Sequence, residues 1–204
     1  MKNKKIIILI ILSILLILNT ILVLCGLTDS IDEIVHNSVL FLYSETSTKI
    51  MKNITFFGCT KFIVGLCLIL FIYYFYRKKK TTAFSISGIL VLSTIVNNVV
   101  KIIIRRPRPE YITIVENTFS YPSGHMMASA TLYGFIIFII LKSDIEKKYK
   151  AFFSTMMSLL ILLIGLSRIY LGAHFFTDVF GAALISCILI ISYSLLIDKK
   201  VIHI

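Results

Sequence analysis

Long apolar stretches decide what this chain can fold into before any motif is considered. A helix that crosses a bilayer needs roughly 20 consecutive apolar residues, because lipid cannot hydrogen-bond an open backbone. Ile6–Thr28, Thr81–Val100, Asn117–Leu141, Ala151–Ser167 and Val179–Ile197 contain no Lys, Arg, Asp or Glu. Phe62–Tyr76 is a shorter run, extendable back to Ile54 if Lys61 snorkels to the interface. The chain is 58% hydrophobic and 15% charged, against about one quarter charged in soluble domains. That excludes a disordered chain, a disulfide-stapled secreted module and an ordinary soluble enzyme. The expected fold is all-α, a polytopic membrane protein with six transmembrane helices in one bundle and a single domain over 1–204. The spans fall at about 6–27, 56–76, 82–104, 124–142, 151–171 and 176–197. The first apolar run is longer than a signal peptide's and lacks a small-residue cleavage pattern, so it reads as an uncleaved span.

A net charge of +11 could suggest nucleic acid, but its placement argues otherwise. Thirteen of the 21 basic residues sit at Lys2, Lys4, Lys5, at Arg77–Lys80, at Lys142, Lys147, Lys148, Lys150, and at Lys199–Lys200. These clusters recur at every second membrane boundary. With both termini inside, all four lie on the cytoplasmic face, as the positive-inside rule requires. The expected partner is therefore the lipid bilayer, with no nucleic acid. Asp29–Thr55 is the longest outer segment, and Ile31, Ile34, Val35, Val39 and Leu42 recur there at helical spacing. They predict an outer amphipathic helix on the membrane surface. Cys25, Cys59, Cys67 and Cys187 show no CxxC spacing and read as small core hydrophobes.

The other basic residues break the pattern. Lys101, Arg105, Arg106, Arg108 and Arg168 crowd the outer ends of the third and fifth spans. Asp178 is the one acidic residue within any span, and His125 and His174 are the histidines at span ends. Ionisable groups there are costly and usually line a site or pathway. The six-span topology puts all of them at one level of the membrane.

Three segments carry this chemistry. In Lys101-Ile-Ile-Ile-Arg105-Arg106-Pro107-Arg108-Pro109, the prolines stop the helix and extend the chain. Arg offers forked donors to phosphate oxygens, and spacing alone leaves open whether Arg106 or Arg108 is the working member. In Tyr121-Pro122-Ser123-Gly124-His125, Ser123 is an N-cap and Gly124 admits a ligand to the backbone at a helix N-terminus, which favours anions. In Ser167-Arg168 through His174 to Asp178, the last two are four apart, so on a helix they face each other. A carboxylate on one ring nitrogen fixes the tautomer and turns the other lone pair outward as nucleophile or base. No carboxylate cluster suggests a metal.

Taken together, Lys101 with six residues to Arg108-Pro109, then Pro122-Ser123-Gly124-His125, then Ser167-Arg168 with five residues to His174 and three to Asp178, resembles a known signature. It is that of the type 2 phosphatidic acid phosphatase superfamily, lipid phosphate phosphatases related to the vanadium haloperoxidases. The resemblance selects Arg108 over Arg106. It implies that Lys101, Arg108 and Arg168 bind phosphate oxygens with Ser123 and Gly124. It further implies that His174 is the nucleophile forming a phosphohistidine, Asp178 its orienter and His125 the general acid, with no metal and no cofactor. The implied activity is hydrolysis of a membrane lipid phosphate at the outer face. Undecaprenyl diphosphate is the favoured substrate, with phosphatidylglycerophosphate or phosphatidic acid as alternatives. A lipid transporter would explain the basic loop but not the paired His174 and Asp178, and a lipid phosphotransferase shares the chemistry. Outside the motifs, His36 and His203 are expected at solvated or interfacial positions. Asn97 and Asn98 are expected to hydrogen-bond between helices, and Arg105 and Arg106 to add affinity for a diphosphate or anionic headgroups.

Overall fold

The structure, a computed structural model, describes residues 2–110 and 118–197. Lys199, Lys200, His203 and part of the 105–123 connection lie outside the described residues. The described residues form eight helices in order: α1 Lys2–Leu24, α2 Asp29–Leu40, α3 Glu45–Phe56, α4 Thr60–Tyr76, α5 Lys80–Ile104, α6 Gly124–Lys142, α7 Lys147–Tyr170 and α8 Phe176–Ile197. Five of them (α1, α5, α6, α7 and α8) are long and apolar enough to cross a membrane alone.

The sixth candidate span is a bent pair of helices. At ~1.5 Å per residue, the 17 residues of α4 reach only about 26 Å, short of a hydrocarbon core of roughly 30 Å. α3 precedes it across a break of three residues with a bend of 40°, and the two together are long and apolar enough to cross. The amphipathic helix expected from the spacing of Ile31 through Leu42 is α2, and the rest of the outer segment adds a second helix, α3. Asp32, His36 and Val39 face the bundle, whereas Ile31 and Ile34 are exposed. His36 is buried rather than solvated.

α6 is the centre of the bundle, packed against α5, α7 and α8, with α1 lying against α8. The core is built around Met126, Met127, Leu132, Tyr133 and Phe135 of α6 together with Ile86, Ile89, Ile164 and Ile185. Small polar side chains close the helix contacts, as they do inside membranes. Ser93 Oγ is 2.9 Å from Thr131 Oγ1, which donates to Ser186 Oγ at 3.1 Å. α1 is mostly exposed, presenting its Ile and Leu residues outward, but Asn19 is buried and donates to Tyr121 Oη and the Thr177 carbonyl, each at 3.2 Å. Cys67 is buried, while Cys25 and Cys187 are exposed, so only the first fits the expected core role.

The basic clusters Lys2–Lys5, Arg77–Lys80 and Lys142–Lys150 mark one end of the helices. The three motifs gather at the other.

Candidate active site

Each motif reaches this end through a local stop signal. α5 ends at Ile104 because Arg105 takes a left-handed conformation (φ 51°), its N–H bonding the Lys101 carbonyl, and Pro107 and Pro109 follow. α6 begins at Gly124, where Ser123 is the N-cap and its Oγ accepts from the Met126 N–H. α7 ends in a Schellman motif. Gly172 (φ 65°) is the left-handed residue, its N–H bonds the Ile169 carbonyl at 3.0 Å, and the Ala173 N–H bonds the Arg168 carbonyl at 3.0 Å. That reversal delivers His174 to the mouth of α8.

His174 is not on the helix, contrary to the expectation that a spacing of four is a helical one. It sits in the turn, and Asp178 in the first turn of α8 reaches back to it. Asp178 Oδ2 accepts from the Phe175 N–H at 3.0 Å, in the manner of a capping box, and lies 3.5 Å from His174 Nδ1. The latter is long for a hydrogen bond, as such contacts commonly are before substrate closes them. Burial pushes the His174 pKa down to about 4; Asp178 pulls it up, and Arg168 and Arg108 push it further down. The ring is neutral at pH 7.

On the other edge of the ring, Nε2 is 3.4 Å from Nη1 of Arg108. Arg108 is held by the chain around it. Its Nε donates to the Thr118 carbonyl and its Nη1 to the Ala173 carbonyl, both at 2.7 Å, and its Nη2 donates to Thr118 Oγ1 at 3.0 Å. Lys101 Nζ donates to the Phe119 carbonyl.

A cavity of about 240 Å³ opens between these groups, lined by Lys101, Arg108, Gly124, His125 and His174. It extends along α4 and α5 past Ser93, Thr94, Asn97 and Asn98. A Cβ at Gly124 would meet only Asn97 Oδ1 at 3.6 Å, so the space that glycine leaves clear belongs to the cavity. Ser123, Arg168 and Asp178 are buried and do not line it. Arg168 Nη1 donates to Thr55 Oγ1 of α3 at 3.0 Å. Asn97 does bridge between segments, with Nδ2 3.4 Å from the Pro122 carbonyl.

Arg106 is elsewhere. It is buried and bonds Asp178 Oδ1 and Asp32 Oδ2, each at 2.7 Å. Burial works against its charge, but Asp178 and Asp32 outweigh that and hold its pKa above the usual arginine value. The expectation that Arg106 adds affinity for headgroup phosphate is therefore corrected, since its donors are spent on carboxylates. Arg105 stays exposed. Sequence reasoning missed Asp32, Thr177, Thr118 and Asn19 altogether. Among the described residues, no three His, Cys, Asp or Glu side chains gather as a metal site.

Residues 82–202 match the family model of the PAP2 superfamily. Phosphatidylglycerophosphatase B of Bacillus subtilis is 34% identical over 158 residues, covering 75% of this chain and 76% of that protein. The crystal structure of the first transmembrane PAP2-type phosphatidylglycerolphosphate phosphatase, from Bacillus subtilis, superposes with a TM-score of 0.87 at 26% identity over 96% of this chain and 98% of that one. Aquifex aeolicus LpxE shares the fold, with a TM-score of 0.61 at 23% identity over 80% of this chain and 93% of its own. With the matched segment spanning more than half of its length and all three motifs, the chain belongs to the PAP2 superfamily.

Proposed function

We propose that this protein is a membrane lipid phosphate phosphatase that hydrolyses phosphatidylglycerophosphate through a phosphohistidine on His174. The observation that carries the reading is one cavity lined by Lys101, Arg108, His125 and His174, with Asp178 3.5 Å behind the His174 ring. The similarity to phosphatidylglycerophosphatase B moves the substrate preference from undecaprenyl diphosphate, favoured on sequence alone, to phosphatidylglycerophosphate.

In this mechanism Lys101 and Arg108 hold the phosphoryl oxygens, with Arg168 adding positive charge at the end of α7 and Ser123 and Gly124 opening the α6 N-terminus to the anion. Asp178 takes the Nδ1 proton of His174 into its contact, so the Nε2 lone pair faces the phosphorus. Nε2 attacks in line, the P–O bond to the lipid glycerol breaks, and His125 protonates the departing oxygen. Water, deprotonated by His125, then cleaves the P–N bond and releases inorganic phosphate. Fixed cations spread the charge that a metal would otherwise neutralise. The site faces outward, because the basic clusters lie at the opposite end of the helices.

The deciding experiment is phosphate release by purified protein in detergent and excess EDTA. Phosphatidylglycerophosphate, phosphatidic acid and undecaprenyl diphosphate are compared at equal surface concentration. Release fastest from the first supports the reading. Release only from undecaprenyl diphosphate, or only after Mg²⁺ is restored, sinks the substrate or the metal-free mechanism respectively.

A further inference from the structure

Arg106 has no part in the mechanism above, yet its guanidinium is among the most heavily bonded groups in the described structure. Nη1 donates to Asp178 Oδ1 at 2.7 Å and to Thr177 Oγ1 at 2.8 Å. Nη2 donates to Asp32 Oδ2 at 2.7 Å and to Thr28 Oγ1 at 3.1 Å, and the ring of Phe175 lies 4.1 Å from Cζ. Asp32 also accepts the Thr177 N–H at 2.9 Å, and Thr177 Oγ1 is 2.8 Å from its Oδ2. One cation thus ties α2 to the first turn of α8, and Arg106, Asp32, Asp178, Thr28 and Thr177 are all buried.

The consequence falls on Asp178. Its carboxylate has two oxygens with separate duties: Oδ1 is taken by Arg106, and Oδ2 is left for the Phe175 N–H and His174 Nδ1. Without the guanidinium, Asp178 and Asp32 would be two buried negative charges sharing one neighbour, Thr177. A carboxylate free to rotate, or driven to take up a proton, no longer presents Oδ2 to the imidazole.

We propose that Arg106 and Asp32 are positioning residues for the reaction: they lock the Asp178 carboxylate so that it fixes the Nδ1–H tautomer of His174. This makes α2, which lies outside all three motifs, a structural part of the catalytic machinery. The proposal rests on the reading of His174 as nucleophile.

Its test uses the full chain in detergent with phosphatidylglycerophosphate. Arg106→Gln should lower kcat on the order of 100-fold, the cost of a small misplacement of reacting groups, with KM nearly unchanged. In an Asp178→Asn background the same substitution should cost little more, because the group it positions is already disabled. Asp32→Asn, which keeps shape and acceptors, should lower kcat about tenfold and show the same loss of effect beside Asp178→Asn. It carries the test if Arg106→Gln does not fold. A rise in KM at unchanged kcat would make Arg106 a substrate ligand and overturn the proposal, as would effects that multiply independently with Asp178→Asn.

A second readout does not depend on turnover. Nitrogen-15 NMR of the His174 ring should report the Nδ1–H form in the native chain and a tautomer mixture in Arg106→Gln or Asp32→Asn. An unchanged tautomer in both variants overturns the proposal. A native chain that releases no phosphate fails the phosphatase reading and leaves this readout to decide the positioning claim.

Discussion

Nε2 of His174 lies 3.4 Å from Nη1 of Arg108. The proposed nucleophile and the proposed phosphate-binding cation are therefore neighbours in the resting protein, and in the proposed mechanism a phosphoryl oxygen held by Arg108 brings phosphorus within reach of the lone pair. The guanidinium is aimed by two backbone carbonyls, of Thr118 and Ala173, in a fork that an ammonium cannot copy. Arg108→Lys should therefore behave as a loss rather than a conservative change. The expected drop in kcat/KM is about 100-fold or more, comparable to removing one preorganised donor, read by phosphate release. Activity within a fewfold of wild type would show that charge alone suffices there.

His125 and His174 should separate by leaving group. A diphosphate expels a lipid phosphate with a second pKa of about 6, which needs little protonation. Phosphatidylglycerophosphate expels a far more basic alkoxide. His125→Ala should slow the latter by about 10²–10⁴-fold and undecaprenyl diphosphate much less, in single-turnover experiments. Equal losses on both substrates would remove His125 from the role of general acid.

Packing around the second motif gives a prediction about stability. A Cβ at Gly181 of α8 would lie 2.5 Å from Tyr121 Oη and 2.8 Å from two of its ring carbons. Tyr121 is completely buried, bonded to Asn19 and Thr20, and precedes Pro122-Ser123-Gly124 directly. Overpacking costs about 1–3 kcal/mol, against a helix-propensity gain of about 1 kcal/mol for Gly→Ala. Gly181→Ala should lower both the melting temperature in detergent and the turnover. Gly88→Ala in α5, where a Cβ meets nothing within 4 Å, is the control and should be neutral or stabilising. Equal behaviour of the two variants would contradict the packing argument.

How much of this was legible in the chain depends on how local each feature is. The caps were readable: Ser123 at the head of α6 and the Pro107, Pro109 stop after α5 each follow from a few adjacent residues. The motif residues were readable through their spacing, and five of the eight line one cavity. The pairing of His174 with Asp178 was anticipated for a different geometry, because a gap of four fits a turn and capping box as well as a helix. The cluster around Arg106 was not legible. Its partner Asp32 lies 74 residues away, in a helix that the spacing of its apolar residues places on the membrane surface without saying what its polar residues meet. In a membrane an exposed Ile costs nothing in lipid, whereas a buried polar side chain must find its partner inside the bundle.

The burial of His174 has a sign that can be checked. Its pKa is about 4 in the folded protein and about 6.5 when unfolded. Between those values the unfolded chain binds a proton that the folded chain refuses, so stability falls as pH drops through that window and is unaffected by this group above it. His174→Gln should flatten the decline in melting temperature from about pH 6.5 to about pH 4. A residual slope is expected, because burial shifts His36 in the same direction. Superimposable profiles for variant and wild type would place His174 in a wetter setting than the structure shows.

The proposed mechanism turns on a covalent bond between phosphorus and His174, and that bond can be trapped. Phosphatidylglycerophosphate labelled in its terminal phosphate is mixed with excess enzyme, quenched in base, and digested for mass spectrometry. The digest should carry an acid-labile, base-stable phosphate on the peptide that contains His174, formed no more slowly than inorganic phosphate appears. His174→Ala should show neither label nor phosphate release. Label on any other residue, or substantial phosphate release by His174→Ala, would rule out a phosphohistidine at this position.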